Sequence, residues 1–165
     1  MKLHGFTDAD WAGSPTDRKS TSGGIFSIGS TTVSWYNRKQ RSVALSSAEA
    51  EYMAESLAAC ENIWMRKILV GLFGSHLDST MIYCDNQSCI KLSVNPVFHD
   101  RSKHIDIRYH HIRDCVQRRI MLLSYIPTED QDADILTKAL TRSKFEYHRG
   151  RIGVVDNTYL VEREC

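Results

Sequence analysis

Four carboxylates in this chain of 165 residues stand where the local pattern passes from one element to the next. Asp8 follows the strand-like Phe6-Thr7, and Asp85 ends the apolar run Ile82-Tyr83-Cys84. Glu51 and Asp134 fall in the first turns of helical segments. Carboxylates near a helix N-terminus keep their charge more readily, because the helix dipole is positive there. Several of them converging without basic partners would repel, and hard divalent cations relieve that repulsion. Two such ions about 4 Å apart can hold the attacking and leaving oxygens of a phosphodiester displacement. Taken singly, each residue also suits a strand end or a helix cap for backbone reasons. The spacing by itself leaves both readings open.

The elements that must position these groups are legible in outline. Leu3–Asp8 reads as a strand that starts abruptly, as in a domain cut from a longer chain. Residues 10–24, rich in Gly, Ser, Thr and Asp, read as a loop. Gly24–Ile28 and Thr32–Tyr36 alternate around Gly29-Ser30 as a hairpin, and Val43–Leu45 closes the β region. Ser46 with Glu49 forms a capping box that opens a helix running to about Phe73. Apolar residues on nearly every side of that helix predict burial between layers. Met81–Cys84 reads as a strand, Asn86–Val94 and Ile105–Ile120 as helices, Met121–Ile126 as a strand, and Asp132–Gly150 as a final helix. The order β-β-β-α-β-α-α-β-α predicts an α/β fold: a mixed five-stranded sheet with helices packed on both faces. Residues 1–155 form the expected domain, and 156–165 a C-terminal tail.

Composition narrows the function classes. The net charge is +1, so no overall basic field announces a nucleic-acid binder. The cations are nevertheless clustered at Arg18-Lys19, Arg38-Lys39 with Arg41, Arg101 with Lys103, Arg118-Arg119 and Arg142 through Arg151. Five cysteines without a CxxC pair disfavour a disulfide framework or a zinc knuckle and fit a reducing compartment. The start, MKLHGFTDADW, lacks the apolar core of a signal peptide, and no stretch reaches the roughly 20 apolar residues of a membrane span. The set His104, Asp106, His110, His111 and Asp114 invites a zinc reading, but His111 points about 100° from His110 on a helix and no second cluster completes a tetrahedron. Ser46-Ser47 is not part of a G-x-S-x-G elbow, which argues against a serine hydrolase.

Four segments carry a family resemblance: GFTDADWAGSPTDRKSTSGG at 5–24, SWYNRKQRSVALSSAEAEYMA at 34–54, IYCDNQSCIKLSVNPVFHDRSKHIDIRYHHIRD at 82–114 and IPTEDQDADILTKAL at 126–140. Together they cover most of residues 5–150, and the chain resembles the ribonuclease H domain of copia-type LTR retrotransposon Pol polyproteins. The resemblance implies a ribonuclease H-like fold and an endonuclease that hydrolyses the RNA strand of RNA–DNA hybrids with two Mg²⁺ ions, for which Mn²⁺ can substitute. It places the catalytic, metal-binding carboxylates at Asp8, Glu51, Asp85 and Asp134. Asp8 is then expected to bridge the two ions, with Glu51 and Asp85 on one and Asp134 on the other. Glu51 is also expected to sense a ribose 2′-hydroxyl. Arg18, Lys39 and Arg41 become expected phosphate contacts, and Thr21, Ser22, Asn86 and Gln87 expected hydrogen-bonders to the hybrid.

The resemblance further implies an upstream reverse transcriptase domain in a parent polyprotein, a role in reverse transcription and a cytoplasmic setting that includes virus-like particles. Two departures stand out. The stretch Pro127–Gln131 holds no counterpart of the loop histidine found in many ribonucleases H, and residues 95–104 offer only Arg101 and Lys103 where some members carry a basic handle. Weak hybrid binding by the isolated domain is expected from the second. An integrase is disfavoured because the glutamate comes second rather than last. The remaining alternative is an inactive or domesticated domain that only binds nucleic acid or a protein partner.

Overall fold

The computed structural model describes residues 2–74, 77–94 and 111–155. Five strands form one sheet: β1 (Leu3–Asp10), β2 (Thr21–Ile28), β3 (Thr31–Lys39), β4 (Thr80–Cys84) and β5 (Met121–Tyr125). Their spatial order is β3-β2-β1-β4-β5. The first three make an antiparallel meander, whereas β4 joins β1 and β5 joins β4 in parallel. The helices are α1 (Ser47–Phe73), α2 (Gln87–Val94), α3 (described over 111–117), α4 (Asp134–Thr137) and α5 (Arg142–Arg151). A 3₁₀ turn spans Thr128–Asp130.

Period-two alternation sorts the strand side chains onto two faces. Phe26, Ile82 and Cys84 pack with Tyr52, Ala58, Ala59, Met65 and Leu69 of α1. On the opposite face, Phe6, Ile25 and Tyr83 pack against Ala133, with Ile135 and Leu136 of α4 and Ile152 after α5. Helical segments therefore cover both faces, as the pattern predicts. The start of α1 is capped as expected: the Glu49 N–H donates to Ser46 Oγ at 3.2 Å. Glu49 Oε2 in turn accepts from the Leu45 N–H at 2.7 Å, one residue before the cap. Gly74, at φ 62°, closes the helix in the left-handed conformation that glycine adopts without penalty. Burial nearly all round holds only from Ala50 to Ala59. Further along, Trp64, Val70, Leu72 and Phe73 are exposed while Met65 and Leu69 stay buried, so only one side of the helix is covered there.

Several boundaries differ from the sequence reading. β1 continues two residues past Asp8, and β2 begins at Thr21 within the expected loop, because the two strands pair through Asp10↔Thr21. Val43–Leu45 is irregular rather than a strand, and the Ala44 carbonyl accepts from Trp11 Nε1 at 3.2 Å. The expected helix Asp132–Gly150 splits into α4 and α5, separated at 138–141. The break comes where Thr137 and Lys138 turn to bond Asp8, a contact across about 130 positions of sequence. The tail 156–165, residues 105–110 of the expected helix at 105–120 and the histidines at 104 and 110 lie outside the described residues.

Candidate active site

Four elements bring their carboxylates to the carboxyl ends of the two central parallel strands. Asp8 sits near the end of β1, and Asp85 follows the last residue of β4. Glu51 comes from the first turns of α1 on one face of the sheet, and Asp134 opens α4 on the other. Such a crevice at strand carboxyl ends is where open α/β sheets place their ligands. Asp8, Glu51 and Asp134 are buried, and Asp85 is half-buried.

One carboxylate oxygen each from Asp8, Asp85 and Asp134 lies within 4.8 Å of the others. Glu51, Asp85 and the Cys84 thiol form a second group of the same tightness. Asp85 is therefore common to both groups. Both oxygens of Asp8 are taken by the chain itself: Oδ2 accepts from the Thr137 hydroxyl, and Oδ1 pairs with Lys138 Nζ at 3.0 Å. The same ammonium lies 3.0 Å from Asp134 Oδ1.

Supporting contacts fix the remaining groups. Glu51 Oε1 accepts from the Ala9 N–H at 3.2 Å, which ties α1 to β1 beside Asp8. Asp85 Oδ2 accepts from the Thr128 hydroxyl at 2.7 Å. Buried Gln131 donates to the Thr7 carbonyl at 2.9 Å and anchors the loop that carries Asp134. Behind that loop, Asp132 is clamped by His148 Nδ1 at 2.8 Å and Arg151 Nε at 2.9 Å. Gly23, paired with Asp8 in the sheet, lets α4 approach: a Cβ there would stand 2.6 Å from Thr137 Cγ2. Only glycine tolerates so close a passage.

The electrostatics are those of crowded, buried carboxylates. Burial, then repulsion from Asp8 and Asp85, holds Glu51 well above the ordinary carboxylate range. Burial and the Asp8 charge push Asp134 up to about 6, partly offset by Lys138. Burial pulls Lys138 down, but pairing with Asp8 and Asp134 outweighs it, and the ammonium is held above the usual lysine value. The donor set suits a hard divalent cation: three carboxylates within reach of one another, two of them already paired with a positive charge.

The expected nucleic-acid contacts differ in their exposure and partners. Lys39 and Arg41, with Arg38, Gln40, Met53 and Leu57, line a cleft of about 270 Å³. Lys39 is also paired with Asp17 at 2.9 Å. Arg18 and Gln87 are exposed, and Thr21 is half-buried. Asn86 caps α2, its Oδ1 accepting from the Cys89 N–H at 3.0 Å. Ser22 is fully buried, and its hydroxyl accepts from Gln40 Nε2 at 2.9 Å, so its side chain is turned inward. Sequence reasoning missed Thr128, Thr137 and Lys138. Lys138 alone left a signal, the i,i+4 spacing from Asp134.

No protein-family model matches the chain. It is 43% identical over 155 residues, 94% of its length, to the retrovirus-related Pol polyprotein from transposon TNT 1-94 of Nicotiana tabacum. It is 42% identical over 154 residues to the retrovirus-related Pol polyprotein from transposon RE1 of Arabidopsis thaliana. The matched regions make up 12% and 10% of those polyproteins. Among solved structures it resembles LC11-RNase H1, isolated from compost, with a TM-score of 0.61 at 16% identity, covering 82% of this chain and 92% of that one. RNase H1 from Halobacterium salinarum gives a TM-score of 0.56 at 15% identity, covering 83% and 95%. A further structure, LC11-RNase H1 in complex with an RNA/DNA hybrid, gives 0.59 at 14%, covering 82% and 94%. At that identity the likeness establishes the fold, and the sequence matches establish the kinship. The chain belongs to the retrovirus-related Pol polyproteins of copia-type transposons and corresponds to a segment of them with the ribonuclease H fold.

Proposed function

We propose that this domain is an RNA–DNA hybrid ribonuclease whose divalent cations, Mg²⁺ or Mn²⁺, are held by Asp8, Glu51, Asp85 and Asp134. The observation that carries the reading is the convergence of Asp8, Asp85 and Asp134 to within 4.8 Å at the ends of two parallel strands, with Glu51 beside them. Cations bound by these carboxylates would supply Lewis-acid stabilisation of charge developing on a phosphodiester. The chain's own residues do the rest. Ala9 holds Glu51 on the sheet, Thr128 orients Asp85, and the Gln131 anchor sets the height of Asp134. Glu51 is the group we assign to the ribose 2′-hydroxyl that separates RNA from DNA. Arg18, Arg38, Lys39 and Arg41 are assigned to phosphates, and Thr21, Asn86 and Gln87 to the hybrid backbone. With few phosphates neutralised at once, the isolated domain binds weakly, and an upstream reverse transcriptase domain supplies the affinity during intracellular reverse transcription. The substrate assignment is tested by offering one RNA sequence as hybrid, as single strand and as duplex RNA. Cutting confined to the RNA of the hybrid is the expected result, and equal cutting of all three would refute it.

The metal reading has a pH signature. Asp134 at about 6 lies above its ordinary 3.8, so folding favours the protonated form. Its contribution to stability is full below about 3.8 and is lost as pH rises through about 6; Glu51 acts in the same direction. Cations compete with those protons. The rise in melting temperature on adding Mg²⁺ is therefore expected to be large at neutral pH and to shrink below about pH 6. A rise that is absent at neutral pH, or that grows on acidification, would contradict the assigned ligands.

A further inference from the structure

The carboxylate site carries its own cation. Lys138 Nζ stands 3.0 Å from Asp8 Oδ1 and 3.0 Å from Asp134 Oδ1, two of the three atoms' parent groups that the metal reading needs. Its side chain is about one-third exposed, while those of Asp8 and Asp134 are buried, so the ammonium enters the crevice from the solvent side. The placement is enforced by the backbone. α4 is one turn long, its last N–H bond runs from Lys138 to the Asp134 carbonyl at 3.0 Å, and the chain then leaves the helix in extended conformation. Thr137, one residue earlier, fills the other oxygen of Asp8. A lysine on a free helix face would instead reach into water, as its flexible stem and strong hydration favour.

We propose that Lys138 is a resident counter-ion of the site, which holds Asp8 and Asp134 together and must be displaced before a divalent cation can bind there. Lys138 thereby sets the cation concentration at which the site fills. The inference rests on the metal reading given above, and goes beyond it by assigning a competitor. The physical ground is exclusion. An ammonium that donates to one oxygen of each carboxylate occupies the lone pairs a cation would use, and two positive charges within a few ångströms in a partly buried crevice repel strongly. Once displaced, the lysine has an exposed stem along which to swing outward, toward the region a phosphate backbone would occupy.

The test is calorimetric titration of the full 165-residue protein with Mg²⁺ alone, in wild type, Lys138→Met and Lys138→Arg. Lys138→Met is expected to bind Mg²⁺ about tenfold more tightly than wild type, a coupling of about 1.4 kcal/mol. Lys138→Arg, which keeps a cation, is expected to stay near wild type. Equal or weaker binding by a folded Lys138→Met overturns the inference while leaving the metal reading intact. Absence of Mg²⁺ binding in wild type and Lys138→Met alike overturns both. A second measurement needs no variant: the Lys138 ammonium resonance of the wild-type protein, followed by NMR, should lose its paired signature as Mg²⁺ is added. An ammonium that stays paired at saturating Mg²⁺ overturns the proposal.

Discussion

Glu51→Gln is expected to abolish cleavage of an RNA–DNA hybrid while leaving the fold in place, and Glu49→Gln is expected to stay active. The two glutamates are two positions apart on α1 and so about 200° apart around its axis. Glu49 faces back along the chain and accepts from the Leu45 N–H, while its own N–H is bonded to Ser46. That is a helix-capping task, and a glutamine can perform it, so its loss costs at most about 1 kcal/mol. Glu51 faces the sheet, buried, beside Asp8 and Asp85. Glutamine at 51 retains an oxygen for the Ala9 N–H, so the tie between α1 and β1 survives. What disappears is a carboxyl that can ionise and become a ligand when a cation relieves the burial and repulsion that otherwise hold it above the ordinary range. Cleavage in Mg²⁺ and thermal melting should be measured on both variants. An inactive Glu49→Gln beside an active Glu51→Gln would reverse the assignment.

The second large effect is expected at Asp85, the one carboxylate common to both donor groups. Asp85→Asn keeps the shape and still offers an oxygen to the Thr128 hydroxyl. It removes one charge from a crowded site, and part of the repulsion that raises Glu51 goes with it. Stability should therefore be unchanged or slightly higher. Cleavage should fall by at least about a hundredfold, beyond the ten- to hundredfold typical of losing a residue that merely supports a ligand. A variant that cuts at the wild-type rate would remove Asp85 from the chemistry. One that is inactive only because it melts early would show a structural role instead.

What could be read from the chain follows from which forces are local. The capping box at Ser46 and Glu49, the strand alternation and the apolar run ending at Asp85 depend on near neighbours, and each appears where the pattern put it. The five strands that make the sheet also appear in the expected order. The split of the last helix did not show, because it coincides with bonds from Thr137 and Lys138 to Asp8 at the far end of the sequence. Nor did the need for glycine at 23, which appears only once α4 lies across β2. Ser22 illustrates a different failure. Its polarity suggested a surface contact, but its strand position turns it inward to Gln40. Lys138 was passed over for a related reason: lysines on short helices are ordinarily solvated, and only the fold brings two carboxylates to it.

The proposed activity is a metal-dependent cut in one strand of a hybrid. The most direct measurement follows both strands of an end-labelled RNA–DNA hybrid with the wild-type protein while Mg²⁺ is titrated in and then removed by chelation. RNA-strand products are expected to appear with Mg²⁺, cease on chelation and resume when Mg²⁺ or Mn²⁺ is restored, with the DNA strand intact throughout. Cutting that persists under chelation, or an RNA strand left whole at every concentration of either metal, would contradict it.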